Sequence, residues 1–123
     1  MSQTSLIGRA SILIVEDDPR TRDVLVSLLE HLGYDTIPVG TVAEGIELLD
    51  GQDCAILDLN LSDGLGTTVL KRIRDDRRPI RVAVATGTSD EQLLDETRKL
   101  DPEIILRKPI DVNALIAWLE RAG

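Results

Sequence analysis

Apolar residues along the chain fall into two alternating patterns. SILIV (11–15), DTIPV (35–39), CAIL (54–57), RVAVAT (81–86) and EIILR (103–107) are short aliphatic, mostly β-branched runs of strand length. Between them apolar positions recur at three- and four-residue spacing. These are Leu25, Leu28, Leu29 and Leu32; Val42, Ile46 and Leu49; Val69, Leu70 and Ile73; Leu93, Leu94 and Leu100, less regularly; and Val112, Leu115, Ile116 and Leu119. That spacing predicts five amphipathic helices. Start and stop signals agree with the segmentation. Asp18 before Pro19 supplies an N-cap and a first-turn proline. Thr41 with Glu44, and Ser89 with Gln92, have capping-box spacing, and Asp111 can cap the last helix. Gly33 and Gly51 stand where helices should stop.

Five strand–helix units with short connections predict a parallel sheet covered on both faces, because continuous apolar strands need burial on each side. Right-handed crossovers then make the chain wind both ways from the middle of a doubly wound α/β sheet. Ligands of such sheets bind at the carboxyl ends of the strands, near the switch point. Residues 1–10 read as a flexible extension, and 11–122 as one domain.

Composition narrows the function classes. At 123 residues the chain is long enough for one core, and with aromatic residues at 2% and no Phe that core must be built from Leu, Ile, Val and Ala. Stacking platforms for single-stranded nucleic acid are disfavoured by the same shortage. A formal net charge of −8 would repel nucleic acid and anionic membranes, so direct contact with either is not expected. The single cysteine, Cys54, excludes an internal disulfide and a thiolate metal cage. No stretch approaches the roughly 18 apolar residues of a membrane span, and the first ten residues lack a signal-peptide core. A cytoplasmic location is expected.

The candidate chemistry lies at the strand ends. Glu16 and Asp17 follow the first strand, Asp58 the third, Thr86 closes the fourth, and Lys108 with Pro109 follows the fifth. In a 2-1-3-4-5 strand order the first and third strands are neighbours, so the three carboxylates would share one cleft. Like charges so placed oppose one another's ionisation. A hard divalent cation such as Mg²⁺, which takes one or two carboxylates and keeps waters, suits the site. Lys108 adds a point charge suited to phosphate, and Thr86 a hydroxyl. Metal, ammonium and hydroxyl together describe a site for a phosphoryl group, with one carboxylate free to be the nucleophile. Asp58 is best placed, alone on the central strand with a loop after it. Gly64 and Gly66 let that loop bend.

ILIVEDDPRTR, AILDLNLSDGLG, VAVATG and ILRKPI, in this order and spacing, resemble the motifs of response-regulator receiver domains of two-component signalling. The resemblance covers roughly residues 11–122. It implies a flavodoxin-like (βα)₅ fold and Mg²⁺-dependent phosphorylation of an aspartate by a histidine kinase or histidine phosphotransfer protein. It also implies self-catalysed dephosphorylation and a switched surface that a downstream protein or output domain reads. By the same resemblance Asp58 is the phospho-acceptor, and Glu16, Asp17, Asp58 and the Asn60 backbone carbonyl are the metal ligands. Thr86 and Lys108 would hold the phosphoryl oxygens, and Asn60 and Thr88 would tune the phosphoryl lifetime. The chain departs from the pattern at Ile105, where an aromatic residue is usual, at Ile110, where Phe is common, and at Ser62, where Pro is frequent.

Competing readings are weaker. A flavin-binding electron carrier on this fold would need a Ser/Thr/Gly-rich phosphate loop where this chain has EDDPR. A phosphatase with an Asp nucleophile would need an acid where Asn60 stands. A degenerate receiver that only binds protein is opposed by the intact acids, Thr86 and Lys108. His31 reads as a helix-end cation rather than a phospho-acceptor, and Cys54 as a small buried hydrophobe. Trp118 falls off the apolar stripe of the last helix and is expected to be partly exposed. The basic run KRIRDDRRPIR (71–81) reads as a solvated face at the opposite end of the sheet from Asp58.

Overall fold

A computed structural model describes residues 10–121 of the chain; residues 1–9 of the expected extension, and 122–123, lie outside the described residues. In chain order the elements are β1 (Ser11–Val15), α1 (Pro19–His31), β2 (Asp35–Val39), α2 (Val42–Glu47) and β3 (Cys54–Leu57). There follow β4 (Asn60–Leu61), β5 (Gly64–Leu65), α3 (Thr67–Asp75), β6 (Arg81–Thr86), α4 (Glu91–Lys99), β7 (Ile104–Arg107) and α5 (Val112–Glu120). Five strands form one parallel sheet in the order β2-β1-β3-β6-β7, the doubly wound topology expected from the sequence. No described helix is long and apolar enough to cross a membrane.

Because strand side chains alternate between faces, the sheet divides its apolar residues into two cores. Leu13, Val15, Ala55, Leu57, Val82 and Val84 meet Val42, Leu70, Ile73, Leu93 and Leu94 of α2, α3 and α4. Ile12, Ile14, Cys54, Ile56, Ala83 and Ala85 meet Leu25, Leu29, Leu115, Trp118 and Leu119 of α1 and α5. The absence of Phe is met by interdigitated aliphatic side chains on both faces.

Caps fix where the helices enter. Asp18 accepts from the N–H of Arg20, with Pro19 next, as the sequence predicts; Thr41 accepts from Glu44, and Asp111 from Ala114. The start of α4 differs from expectation. Its cap is Asp90, whose carboxylate takes both the Gln92 and Leu93 N–H groups, rather than Ser89. An ionised carboxylate oxygen, Asp90 Oδ1, that accepts both N–H groups outcompetes the neighbouring hydroxyl. Helix α2 is shorter than the periodicity suggests, ending at Glu47, although Leu49 beyond it is buried.

Two further expectations are corrected. Trp118 is 2% exposed, not partly exposed. The buried stripe of α5 is Leu115, Trp118 and Leu119, at i, i+3 and i+4, while Val112 is left 42% exposed. The Arg81 guanidinium covers the indole at 4.3 Å from the ring centroid, a favourable cation–π contact. The basic run is only half a solvated face. Lys71 and Arg72 form exposed pairs with Asp75 and Asp76. Arg74, however, donates to the carbonyls of Leu100 (3.1 Å) and Asp101 (2.6 Å), and Arg78 pairs with Asp50.

Candidate functional site

Parallel register brings the strand ends to one level. Val15 pairs with Leu57, and Leu57 with Val84, so Glu16 and Asp58 leave neighbouring strands side by side. Backbone bonds continue the ladder past the last strand residues: Glu16 N–H donates to the Val39 carbonyl (3.0 Å) and Asp58 N–H to Val15 (2.9 Å). On the other side Thr86 pairs with Arg107, and Lys108 N–H donates to the Thr86 carbonyl (2.9 Å). Four site residues far apart in sequence, Glu16, Asp58, Thr86 and Lys108, are therefore placed by the sheet itself.

Glu16, Asp17 and Asp58 each present a carboxylate oxygen within 4.8 Å of the others. Glu16 and Asp58 are only 3% and 8% exposed. The Lys108 ammonium reaches between them, donating to Glu16 Oε1 at 2.6 Å and to Asp58 Oδ2 at 3.3 Å. Burial alone would push the Lys108 pKa down. The hydrogen bond to Glu16 and the charges of Asp58 and Glu16 together outweigh that and hold it above the ordinary lysine value. The second oxygen of Glu16 accepts from Asp18 N–H at 3.1 Å. Arg22, which no motif or spacing in the sequence singles out, donates to the Glu16 backbone carbonyl at 2.9 Å.

Thr86 is fully buried at the end of β6, and its Oγ1 accepts from Thr88 N–H at 3.0 Å. Thr88 in turn accepts from the Asp90 N–H at 3.1 Å, and Arg107 donates to the Thr88 carbonyl at 2.9 Å. Asn60 opens a two-stranded hairpin, β4–β5, directly after Asp58, and its N–H donates to Asp58 Oδ1 at 3.4 Å. The sequence predicts a bending loop here; the structure forms a hairpin instead. Its turn is Ser62-Asp63, with Gly64 opening the second strand, and the signal for it is the run of turn-forming residues Ser62, Asp63 and Gly64. Gly64 has φ +155°, a conformation that favours glycine, and a Cβ on Gly66 would lie 1.8 Å from the Asp58 carbonyl oxygen. Ile105, in place of an aromatic, is half-buried against the α2–α4 face.

Three converging carboxylates with a single ammonium between two of them form a hard, oxygen-rich cluster of the kind that takes a divalent cation. A sequence model described as the response regulator receiver domain matches residues 12–120. The chain belongs to the response regulator receiver domain family. The acid tolerance regulatory protein ActR of Rhizobium meliloti is 34% identical over 126 residues, covering 99% of this chain and 65% of its own length. The transcriptional regulatory protein FixJ of Bradyrhizobium diazoefficiens is 28% identical, covering 93% of this chain and 57% of its own. The receiver domain thus spans less than two thirds of these curated relatives. Among solved structures, a sensor protein from Polaromonas sp. is 34% identical with a TM-score of 0.82, over 93% of this chain and 95% of that one. The signal receiver domain of a LuxO repressor protein from Vibrio parahaemolyticus is 27% identical with a TM-score of 0.83, over 93% and 89%. The receiver domain is accordingly a signalling domain of two-component systems rather than a conventional enzyme.

Proposed function

We propose that this receiver domain accepts a phosphoryl group on Asp58. An Asp58 carboxylate oxygen attacks the phosphorus of a phosphohistidine, the P–N bond breaks, and an acyl phosphate forms as the leaving imidazole keeps its electron pair and takes a proton. The donor is a histidine kinase or a histidine phosphotransfer protein. The observation that carries this reading is the meeting of buried Asp58 and Glu16 on the Lys108 ammonium, with Asp17 in the same cluster.

The carboxylates of Glu16, Asp17 and Asp58 and the backbone carbonyl of Asn60 are suited to hold Mg²⁺. The bound ion would supply charge neutralisation at the phosphoryl oxygens and a template for their orientation. The chain's own groups do the rest. Lys108 is already poised at Asp58 Oδ2 and can move from carboxylate to phosphoryl oxygen with little reorganisation, which is how preorganised charge lowers a barrier. Thr86 offers its hydroxyl proton while its oxygen keeps the Thr88 N–H. Asp58 sits on the central strand, whose rigidity fixes the attacking oxygen.

The resulting change is passed to a protein partner or an attached output domain. With its net charge of −8 this domain is not itself the nucleic-acid contact. We place it in the cytoplasm, where histidine kinases present their phosphohistidine. The test is intact mass after incubation with a small-molecule phosphodonor, with and without Mg²⁺, on the wild type and on Asp58→Asn. A labile adduct that needs both Mg²⁺ and Asp58 supports the reading. No adduct, under conditions that label another receiver domain, would leave only a phosphorylation-independent binding module.

A further inference from the structure

The hairpin after Asp58 is fastened to a neighbouring helix by one side chain. Asp63 Oδ1 accepts from the Val42 N–H at 2.8 Å and Oδ2 from the Ala43 N–H at 3.2 Å. The first N–H groups of a helix have no partner within it. Thr41 takes that of Glu44 at 3.1 Å, so Asp63, some twenty residues away in sequence, completes the N-terminus of α2. The Asp63 carboxyl is held below the usual carboxylate range, chiefly by the Val42 N–H.

At its base the same hairpin is tied to the acceptor strand. Gly66 N–H donates to the Leu59 carbonyl at 2.8 Å, and only a glycine fits there against the Asp58 carbonyl. Asn60 pairs with Leu65 across a ribbon of two-residue strands. So short a ribbon does not hold itself. Leu61 tucks into the core below it, and Asp63 is the polar anchor at its tip. The segment from 58 to 66 is therefore a loop with fixed ends, and Asn60 lies within it.

We propose that Asp63 is a positioning residue for the cation site. By clasping the hairpin to α2 it fixes the Asn60 carbonyl relative to Asp58, so that the oxygens are in place before the cation arrives. This rests on the reading of Asn60 as a metal ligand. Groups that orient metal ligands typically change affinity by about 10- to 100-fold, and a backbone clasp belongs at the lower end.

The experiment titrates the full chain with Mn²⁺, reading free ion by electron paramagnetic resonance, and measures amide exchange of residues 58–66 without metal. The proteins are the wild type, Asp63→Ala, Asp63→Asn and Ser62→Ala, a neighbour whose side chain is exposed. Asp63→Ala should bind Mn²⁺ about tenfold more weakly and exchange its hairpin amides faster. Asp63→Asn, neutral but with one acceptor left for the helix, should fall between it and the wild type, and Ser62→Ala should match the wild type. Equal Mn²⁺ affinity for wild type and Asp63→Ala overturns the proposal, even if exchange rises. Equal weakening by Asp63→Asn and Asp63→Ala overturns it too, since that is the loss of a charge and not of a clasp. A wild type that binds no Mn²⁺ overturns the metal reading itself, and this inference with it.

Discussion

Replacing Lys108 by methionine leaves Glu16 and Asp58 side by side without the ammonium that now touches both, at 2.6 and 3.3 Å. Removing one partner of a fully buried ion pair costs about 3–5 kcal/mol. The Lys108 side chain is 25% exposed, so water screens part of the charge, and we expect about 2 kcal/mol in the presence of a chelator. For a domain of this size that is a fall in Tm of about 8 °C. Trp118, the single tryptophan and nearly inaccessible to solvent, reports unfolding by its fluorescence. Adding Asp58→Asn to Lys108→Met should recover most of the loss, because one of the two opposed charges is gone. The pH dependence has a definite sign. The Lys108 pKa is raised on folding, so its contribution is complete below the unfolded value of about 10.4 and is lost as pH rises through the folded value. The gap between wild type and variant should be steady across neutral pH and close above about pH 10. Unfolding free energies within about 0.5 kcal/mol of each other under chelation would refute the view that the lysine holds these acids together.

Gly66→Ala drives a methyl into the Asp58 carbonyl and should cost about 3 kcal/mol in urea unfolding. Gly87→Ala, whose new atom meets only the Lys108 side chain at 3.9 Å, should stay within about 0.5 kcal/mol. Trp118→Ala should cost about 4 kcal/mol, and a loss below about 1 kcal/mol would contradict its packing under Arg81. The Asp18 carboxyl is lowered chiefly by the Thr21 hydroxyl, and that of Asp63 by the Val42 N–H. Both therefore contribute stability that is present above the unfolded value of about 3.9 and lost as pH falls through the folded values. Asp63→Asn should flatten the acid limb of the stability curve, and unchanged acid unfolding would count against its helix contact.

The strands and the site were legible because a parallel sheet writes itself plainly. Buried strands appear as unbroken aliphatic runs, and polar residues at their ends have nowhere to go but the ligand edge. Glu16, Asp58, Thr86 and Lys108 could be placed together for that reason. The hairpin is hidden because two-residue strands show no alternation, leaving the turn-forming run Ser62-Asp63-Gly64 as its trace. The Arg22 contact with the Glu16 carbonyl depends on how α1 sits over the sheet, which no spacing reveals. A stripe through Val112, Leu115, Ile116 and Leu119 leaves Trp118 off it, whereas the buried positions are Leu115, Trp118 and Leu119, and Arg81 at the start of β6 covers the indole. Arg74 and Arg78 fasten loop carbonyls and a distant acid, contacts invisible in a run that looks uniformly hydrophilic.

The central claim is that Asp58 is the acceptor. Borohydride reduces an acyl phosphate on aspartate to homoserine, which survives digestion and marks the site. Mapping the phosphodonor-treated, Mg²⁺-loaded chain along its whole length, including the peptides that hold Glu16, Asp17 and Asp58, should find that conversion at Asp58 and at no other acid. A mark on Glu16 or Asp17, or none while a second receiver domain in the same tube is converted, would contradict the account.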